Sequence, residues 1–375
     1  MQSPFSFGKR IGSKSFVNRT EEIKRLMLNL RSGINTMIIS PRRWGKSSLV
    51  VETAKRLSKE KGLRFCFIDM FSISSEAEFY QVFSQEVIKS SSSKAEEWLK
   101  SGSEMLKAVI PKFSFGVDPQ QDFSISFDWA QVEKHRNEIL DLPEKLARKK
   151  KIKIVVCIDE FQNMVSFPNS GKIEKNWRAV WQHQQNVTYC LYGSRRHMIS
   201  DMFNKSDRAF YRFGDILWLD KISADHWVKF ITNKFEATGK SIPSDICLQL
   251  VDEIQNHPYY VQQLSHIVWH NTVKGVSPEI LKSSINELIT INALFFHQII
   301  DNLSPTQIGF LKAVRDGITQ MTAVKTMNSY HMGTPRNISK NRSALESAEI
   351  IDVSNGNITF LDPVFQIWFK NTFKN

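Results

Sequence analysis

Residues 40–48, Ser-Pro-Arg-Arg-Trp-Gly-Lys-Ser-Ser, constrain the fold more than any other stretch. The apolar run 36–39 precedes them and a helical pattern from Lys46 to about Lys59 follows. A Gly-Lys-Ser turn between a buried strand and a helix is the setting of a phosphate-binding loop. Gly45 lets backbone N–H groups turn inward, Lys46 supplies an ammonium for the β/γ phosphates, and the Ser47 hydroxyl suits Mg²⁺. The helix N-terminus adds favourable polarity. Such loops ordinarily open on glycine. Ser40 stands there instead, which weakens the match without removing the groups that act.

Two further stretches agree. Ile154-Val-Val-Cys-Ile158 runs into Asp159-Glu160. In phosphate-loop enzymes the first acid orients the water shell of Mg²⁺, and the second can polarise an attacking water. Thr188 to Leu191 leads to Tyr192-Gly193-Ser194, where a polar side chain at the strand end can meet the terminal phosphate or position water. Alone, that segment is simply a Gly-Ser turn. Arg195 and Arg196 face phosphate, a partner or solvent.

Around these motifs helices alternate with strands: helix 20–30 with Thr20 as N-cap, strand 63–69, helix 75–89, helix 129–149, and strands 152–158, 187–192 and 215–219. That alternation argues for a parallel α/β sheet covered on both faces. Segments 112–117 and 123–127, around Asp118-Pro-Gln-Gln, form a hairpin insertion. The Ser90–Ser93 run is a helix-ending loop. After Lys221 only helices follow to about residue 300, and then three helices precede two strands joined by Ser354-Asn-Gly-Asn, the order of a winged helix-turn-helix. The expected domains are 1–220, 221–300 and 301–375.

The net charge of +12 favours an anionic partner. Residues 1–60 hold thirteen Lys/Arg against four Glu, and residues 304–375 hold eight against five Asp/Glu, so the balance supports nucleotide at least as well as nucleic acid. Cys66, Cys157, Cys190 and Cys247 lack metal spacing and are expected to be reduced core residues of a cytoplasmic protein. The scattered histidines, including His266 and His270, offer no metal site. No apolar run is long enough for a membrane span.

With these elements placed, the chain resembles the archaeal-type ATPases, P-loop proteins close to the AAA+ and STAND classes. Phe16-Val17-Asn18-Arg19-Thr20-Glu21-Glu22 is similar to the family's entry motif beside adenine, with Asn18 for its glycine. Ser40, Pro41, Arg42, Arg43, Trp44, Gly45, Lys46, Ser47 and Ser48 match its phosphate loop, including the paired arginines. Ile158-Asp159-Glu160-Phe161-Gln162 resembles its Walker B strand, and Gly193-Ser194 its sensor-1 position. Phe210-Tyr211-Arg212 departs from the family's Tyr-Gly-Arg. Asn256-His257-Pro258 resembles the lid turn near the base, and Asp362-Pro363-Val364-Phe365-Gln366-Ile367-Trp368 the ending of the winged helix.

The resemblance implies ATP and Mg²⁺ as ligands, Lys46 and Ser47 on phosphate and metal, Asp159 on the metal shell, Glu160 on water, and Ser194 at the γ-phosphate. It also implies that the strand ending at Ser194 lies between the phosphate-loop strand and the Asp159-Glu160 strand. In the last domain Thr334-Pro335 starts a helix on which Ile338 and Leu345 face the core. Arg336, Lys340 and Ser343 project outward as candidate DNA contacts, with Arg342 nearer the core. A packing or protein-docking role for this domain competes evenly with DNA binding. Three functional expectations follow: an ATPase acting as a conformational switch, a DNA-binding regulator holding ATP structurally, and a protein-interaction switch in stress or defence.

Overall fold

The computed structural model describes residues 2–8, 16–92, 95–106, 111–114, 123–354 and 356–374. They form two compact units, Arg19–Asp220, and Met1–Asn18 together with Lys221–Asn375.

In the first unit, strands β1 (Thr36–Ile39), β2 (Leu63–Asp69), β5 (Lys153–Asp159), β6 (Val187–Gly193) and β7 (Asp215–Trp218) make one parallel sheet, ordered β2-β5-β6-β1-β7. β3 (Lys112–Ser114) and β4 (Ser124–Ser126) form the antiparallel hairpin, while the turn Asp118-Pro-Gln-Gln lies outside the described residues. β1 and β6 are buried throughout, as a sheet covered on both faces requires. The strand that ends beside Ser194 lies between the phosphate-loop strand and the Asp159 strand, as the resemblance implied.

Several local expectations change. Thr20 is the first helical residue rather than the cap; Arg19 occupies the cap position with no side-chain cap bond. The expected helix 129–149 is two helices, Trp129–Leu140 and Leu142–Lys150, because Pro143 lacks an N–H and fits only a first turn. Beyond the serine run lies a helix the sequence did not announce, Ala95–Met105. Helix Ser170–Trp181 was also unannounced, and it carries Trp177 and Trp181 into the core, with Trp177 stacked on Phe79 at 4.0 Å.

In the second unit the helices expected after Lys221 are four: Ala224–Glu236, Ser244–Glu253, Pro258–Asn271 and Pro278–Asp301. Asn256, just before helix Pro258–Asn271, has φ 58°, a left-handed conformation that Asn tolerates better than most residues. Helices Pro305–Arg315, Val324–Ser329 and Pro335–Ser347 precede the antiparallel pair β8 (Ile351–Ser354) and β9 (Asn357–Phe360), the order of a winged helix. A further helix, Pro363–Thr372, is capped by Asp362, whose carboxylate also accepts the Tyr260 hydroxyl at 2.5 Å. One apolar core runs through all these helices and includes Phe360, Phe365, Trp368 and Phe369. On helix Pro335–Ser347 the buried seam is Ile338, Asn341 and Leu345, so Arg342 is exposed, contrary to expectation. Arg336, Lys340 and Ser343 are exposed as expected.

All four cysteines are free and buried. Among the described residues no helix is long and apolar enough to cross a membrane, and no cluster of three or more His, Cys, Asp or Glu could hold a metal.

Candidate functional site

The phosphate loop leaves the carboxyl end of β1 and enters helix Lys46–Leu57. Its left-handed residues are Arg43 (φ 66°) and Gly45 (φ 94°); Ser40 is not among them. That explains why serine is accepted at the expected glycine position, since a Cβ is costly only where φ is positive. Ser40 is buried, and its hydroxyl donates to the Pro41 carbonyl at 3.2 Å. Arg42 and Arg43 are exposed. The buried Lys46 curls back over the loop, its Nζ 3.3 Å from the Pro41 carbonyl and 3.5 Å from that of Ser40. Arg19 braces the loop from outside, donating to the Trp44 carbonyl at 3.5 Å while pairing with Glu22 at 2.8 Å.

β5 delivers the two acids. Asp159 is buried, and its Oδ2 accepts the Ser47 hydroxyl at 2.6 Å. Burial raises the Asp159 pKa, with a smaller push from the Glu160 charge, against the lowering hydrogen bond from Ser47 and the Lys46 charge. A hydroxyl and a buried carboxylate side by side are two hard oxygen donors next to an ammonium, a set that fits Mg²⁺ beside phosphate.

Glu160 adopts a left-handed backbone (φ 49°), which turns its side chain across the end of β6. There its Oε2 accepts three hydrogen bonds: from the Ser194 amide at 3.2 Å, the Ser194 hydroxyl at 3.0 Å and Gln162 Nε2 at 2.5 Å. Gln162 is buried. It fits because Gly193 has no side chain: a Cβ there would lie 1.8 Å from Gln162 Oε1. Sequence reasoning quoted Gln162 and Gly193 as motif letters and gave neither this role; a glycine closing a buried strand was the available signal.

The structure thus brings Arg19, Ser40–Ser48, Asp159, Glu160 and Ser194 into one unit, with the last three and the loop at the carboxyl ends of adjacent strands. Open α/β sheets bind their ligands at that edge. Phe16, Val17, His257 and Pro258 belong to the other unit, as do Arg336, Lys340 and Ser343. Val17 is buried in that unit's core; His257 is also buried, preceding Pro258 at the start of helix Pro258–Asn271. Arg212 has a left-handed backbone (φ 52°) and its guanidinium lies over the Tyr211 ring.

A five-stranded parallel sheet with a Gly-Lys-Ser loop after the inner strand β1 and an acid pair at the end of β5, two strands away, defines a P-loop NTPase fold. A family model described as an ATPase domain predominantly from Archaea matches residues 16–264, and the chain belongs to that family. Among solved structures, the chain is similar to the Walker-type ATPase of Pyrococcus abyssi, with TM-score 0.66 and 15% identity, covering 96% of this chain and 97% of that one. It is also similar to the ORC2 protein of Aeropyrum pernix in its ADPNP–ADP complexes, with TM-score 0.57, 14% identity and 100% of both chains covered. The ADP form of ORC2 gives TM-score 0.54 at 12% identity, covering 98% of this chain and 97% of that one. At such identities the likeness is one of fold. No match to a curated protein was found.

Proposed function

We propose that the protein binds and hydrolyses ATP with Mg²⁺ and uses the nucleotide state as a conformational switch on its C-terminal winged-helix segment. The observation that carries this reading is the convergence of Lys46 and Ser47 with Asp159, Glu160 and Ser194 at one sheet edge. Lys46 and the loop backbone hold the β and γ phosphates. Ser47 Oγ and Asp159 hold the metal, which when bound neutralises phosphate charge. Glu160 receives the proton of the attacking water through its free oxygen, and Ser194 reports the γ-phosphate. ADPNP and ADP in the similarly folded ORC2 protein accord with this.

The resemblance to the family assigns Phe16, Val17, Arg19, His257 and Pro258 to adenine, with 1–220 as the ATPase core, 221–300 as a helical lid and 301–375 as the winged helix, in a cytoplasmic protein. Arg336, Lys340 and Ser343 are its DNA candidates, exposed on a helix capped by Thr334. A protein target is the competing reading for that domain. The test is Mg²⁺-dependent ATP turnover by the purified chain against Glu160→Gln: equal rates would remove the enzyme reading and leave ATP as a structural ligand.

A further inference from the structure

At the opposite, amino end of the same sheet, the structure forms a groove of about 710 Å³ lined by Arg31, Lys61, Arg148, Lys151 and Lys153, with Glu60 as the only acid among the described lining residues. β5 is seven residues long, so about 20 Å of strand separates this groove from the Asp159 edge. Residues 148–153 hold five cations in six positions; Arg148, Lys151 and Lys153 line the groove, while Lys149 pairs with Glu104 and Lys150 with Glu97.

Part of this charge answers local structure. Arg31 and Arg148 sit in the last turns of their helices, where cations offset the negative helix end. Arg31 pairs with Glu60, and Arg148 with the buried Glu144 at 2.6 Å. Lys151 stands at the C-cap of its helix, where the same offset applies, but neither explanation reaches Lys61 and Lys153. Lys61 lies in a turn, Lys153 opens β5, and Lys151 closes its helix through its backbone in a left-handed conformation (φ 51°). All three are exposed and have no acid partner among the described residues. The groove walls are fixed: Glu144 holds the Asn186 backbone and side chain at 2.8 Å each, and the Lys153 amide donates to the Gly62 carbonyl at 2.7 Å.

We propose that this groove binds the phosphodiester backbone of nucleic acid. Cations spread over three chain segments suit several phosphates in a row rather than one small anion. Among the described residues no aromatic ring lines the groove, so they offer no platform for base stacking, and binding is indifferent to sequence. The site lies at the opposite end of the sheet from the nucleotide centre, and it does not depend on ATP hydrolysis.

The test is fluorescence anisotropy with labelled mixed-sequence and oligo-dT strands over a salt series. It compares wild type, Lys61→Glu/Lys151→Asn/Lys153→Glu, and Arg336→Ala/Lys340→Ala. These groove residues are exposed, and an unchanged melting temperature confirms the fold. The groove variant is expected to weaken binding by on the order of 10²-fold for both strands and to reduce the log–log salt slope by about two. The helix variant should leave that slope contribution in place. The proposal is overturned if the groove variant binds like wild type, if wild type binds neither strand, or if poly-glutamate competes as well as oligo-dT, which would mark an acidic-protein site.

Discussion

Gln162 donates from Nε2 to Glu160 Oε2 at 2.5 Å, over a glycine whose missing side chain leaves the room for it. The carboxylate proposed to act on water is therefore held by a buried amide and by Ser194 before any nucleotide arrives, and its other oxygen accepts no hydrogen bond within the described residues.

Gly193→Ala should expel Gln162 from this position. The added Cβ meets Gln162 Oε1 at 1.8 Å and Cδ at 2.9 Å, and overpacking of this kind costs about 1–3 kcal/mol. Turnover should fall roughly tenfold, as for one lost hydrogen bond of about 1.4 kcal/mol, with ATP affinity unchanged. Adding Gln162→Ala should restore the melting temperature but not kcat; a double-mutant cycle measures both.

Glu160→Gln is expected to lower kcat by about 10²–10⁴-fold while retaining ATP binding. Calorimetric titration with ATP and Mg²⁺ beside a phosphate-release assay separates the two. Loss of ATP binding together with turnover would place Glu160 in the binding site rather than on the water.

Asp159→Asn should stabilise the nucleotide-free protein while removing the Mg²⁺ dependence of ATP binding. Burial raises the Asp159 pKa, so the folded state favours its protonated form. This group's contribution to stability therefore falls as pH rises from its ordinary value near 3.8 through its folded value, and the cost persists at neutral pH. Thermal melts of both proteins at neutral pH check the sign; a lower melting temperature for the variant would refute it.

Glu144 has the opposite sign. Burial alone would raise its pKa, but hydrogen bonds from the Asn186 amide and side chain and from Arg148 outweigh it and hold the carboxyl below its ordinary value of 4.5. Its stabilising contribution is present above that value and lost as pH falls through the folded pKa. Glu144→Gln should cost about 1–3 kcal/mol in urea melts at neutral pH. The difference from wild type should shrink in acid.

Gly309→Ala should destabilise the C-terminal unit. A Cβ there would lie 2.0 Å from the Tyr330 backbone carbonyl, which cannot swing aside as a side chain can. A loss of about 1–3 kcal/mol is expected, read as early melting of that unit by hydrogen exchange.

The inner strands β5, β6 and β1 were legible because strands buried on both faces are written as apolar runs, as in Val155–Ile158, whereas the edge strands β2 and β7 are only partly buried. The phosphate loop and acid pair were legible because the chemistry demands those residue types in sequence-local order. Helix Ala95–Met105 was missed behind a serine run, and the break at Asp141 was missed although Pro143 marked it. Arg342 was misplaced by one helical position, since the seam through Asn341 depends on what the helix packs against.

The sequence by itself determined the parallel sheet, the phosphate loop and the terminal hairpin with its three helices, because periodicity, glycine and proline act within a few residues. Only the tertiary structure decided why Ser40 is tolerated, since that depends on the backbone angle of the folded loop, whose left-handed positions are Arg43 and Gly45. It likewise decided which oxygen of Glu160 is held, and that Arg31, Lys61, Arg148, Lys151 and Lys153 share one groove. Those groupings join residues far apart in the chain, and strand order alone brings them together.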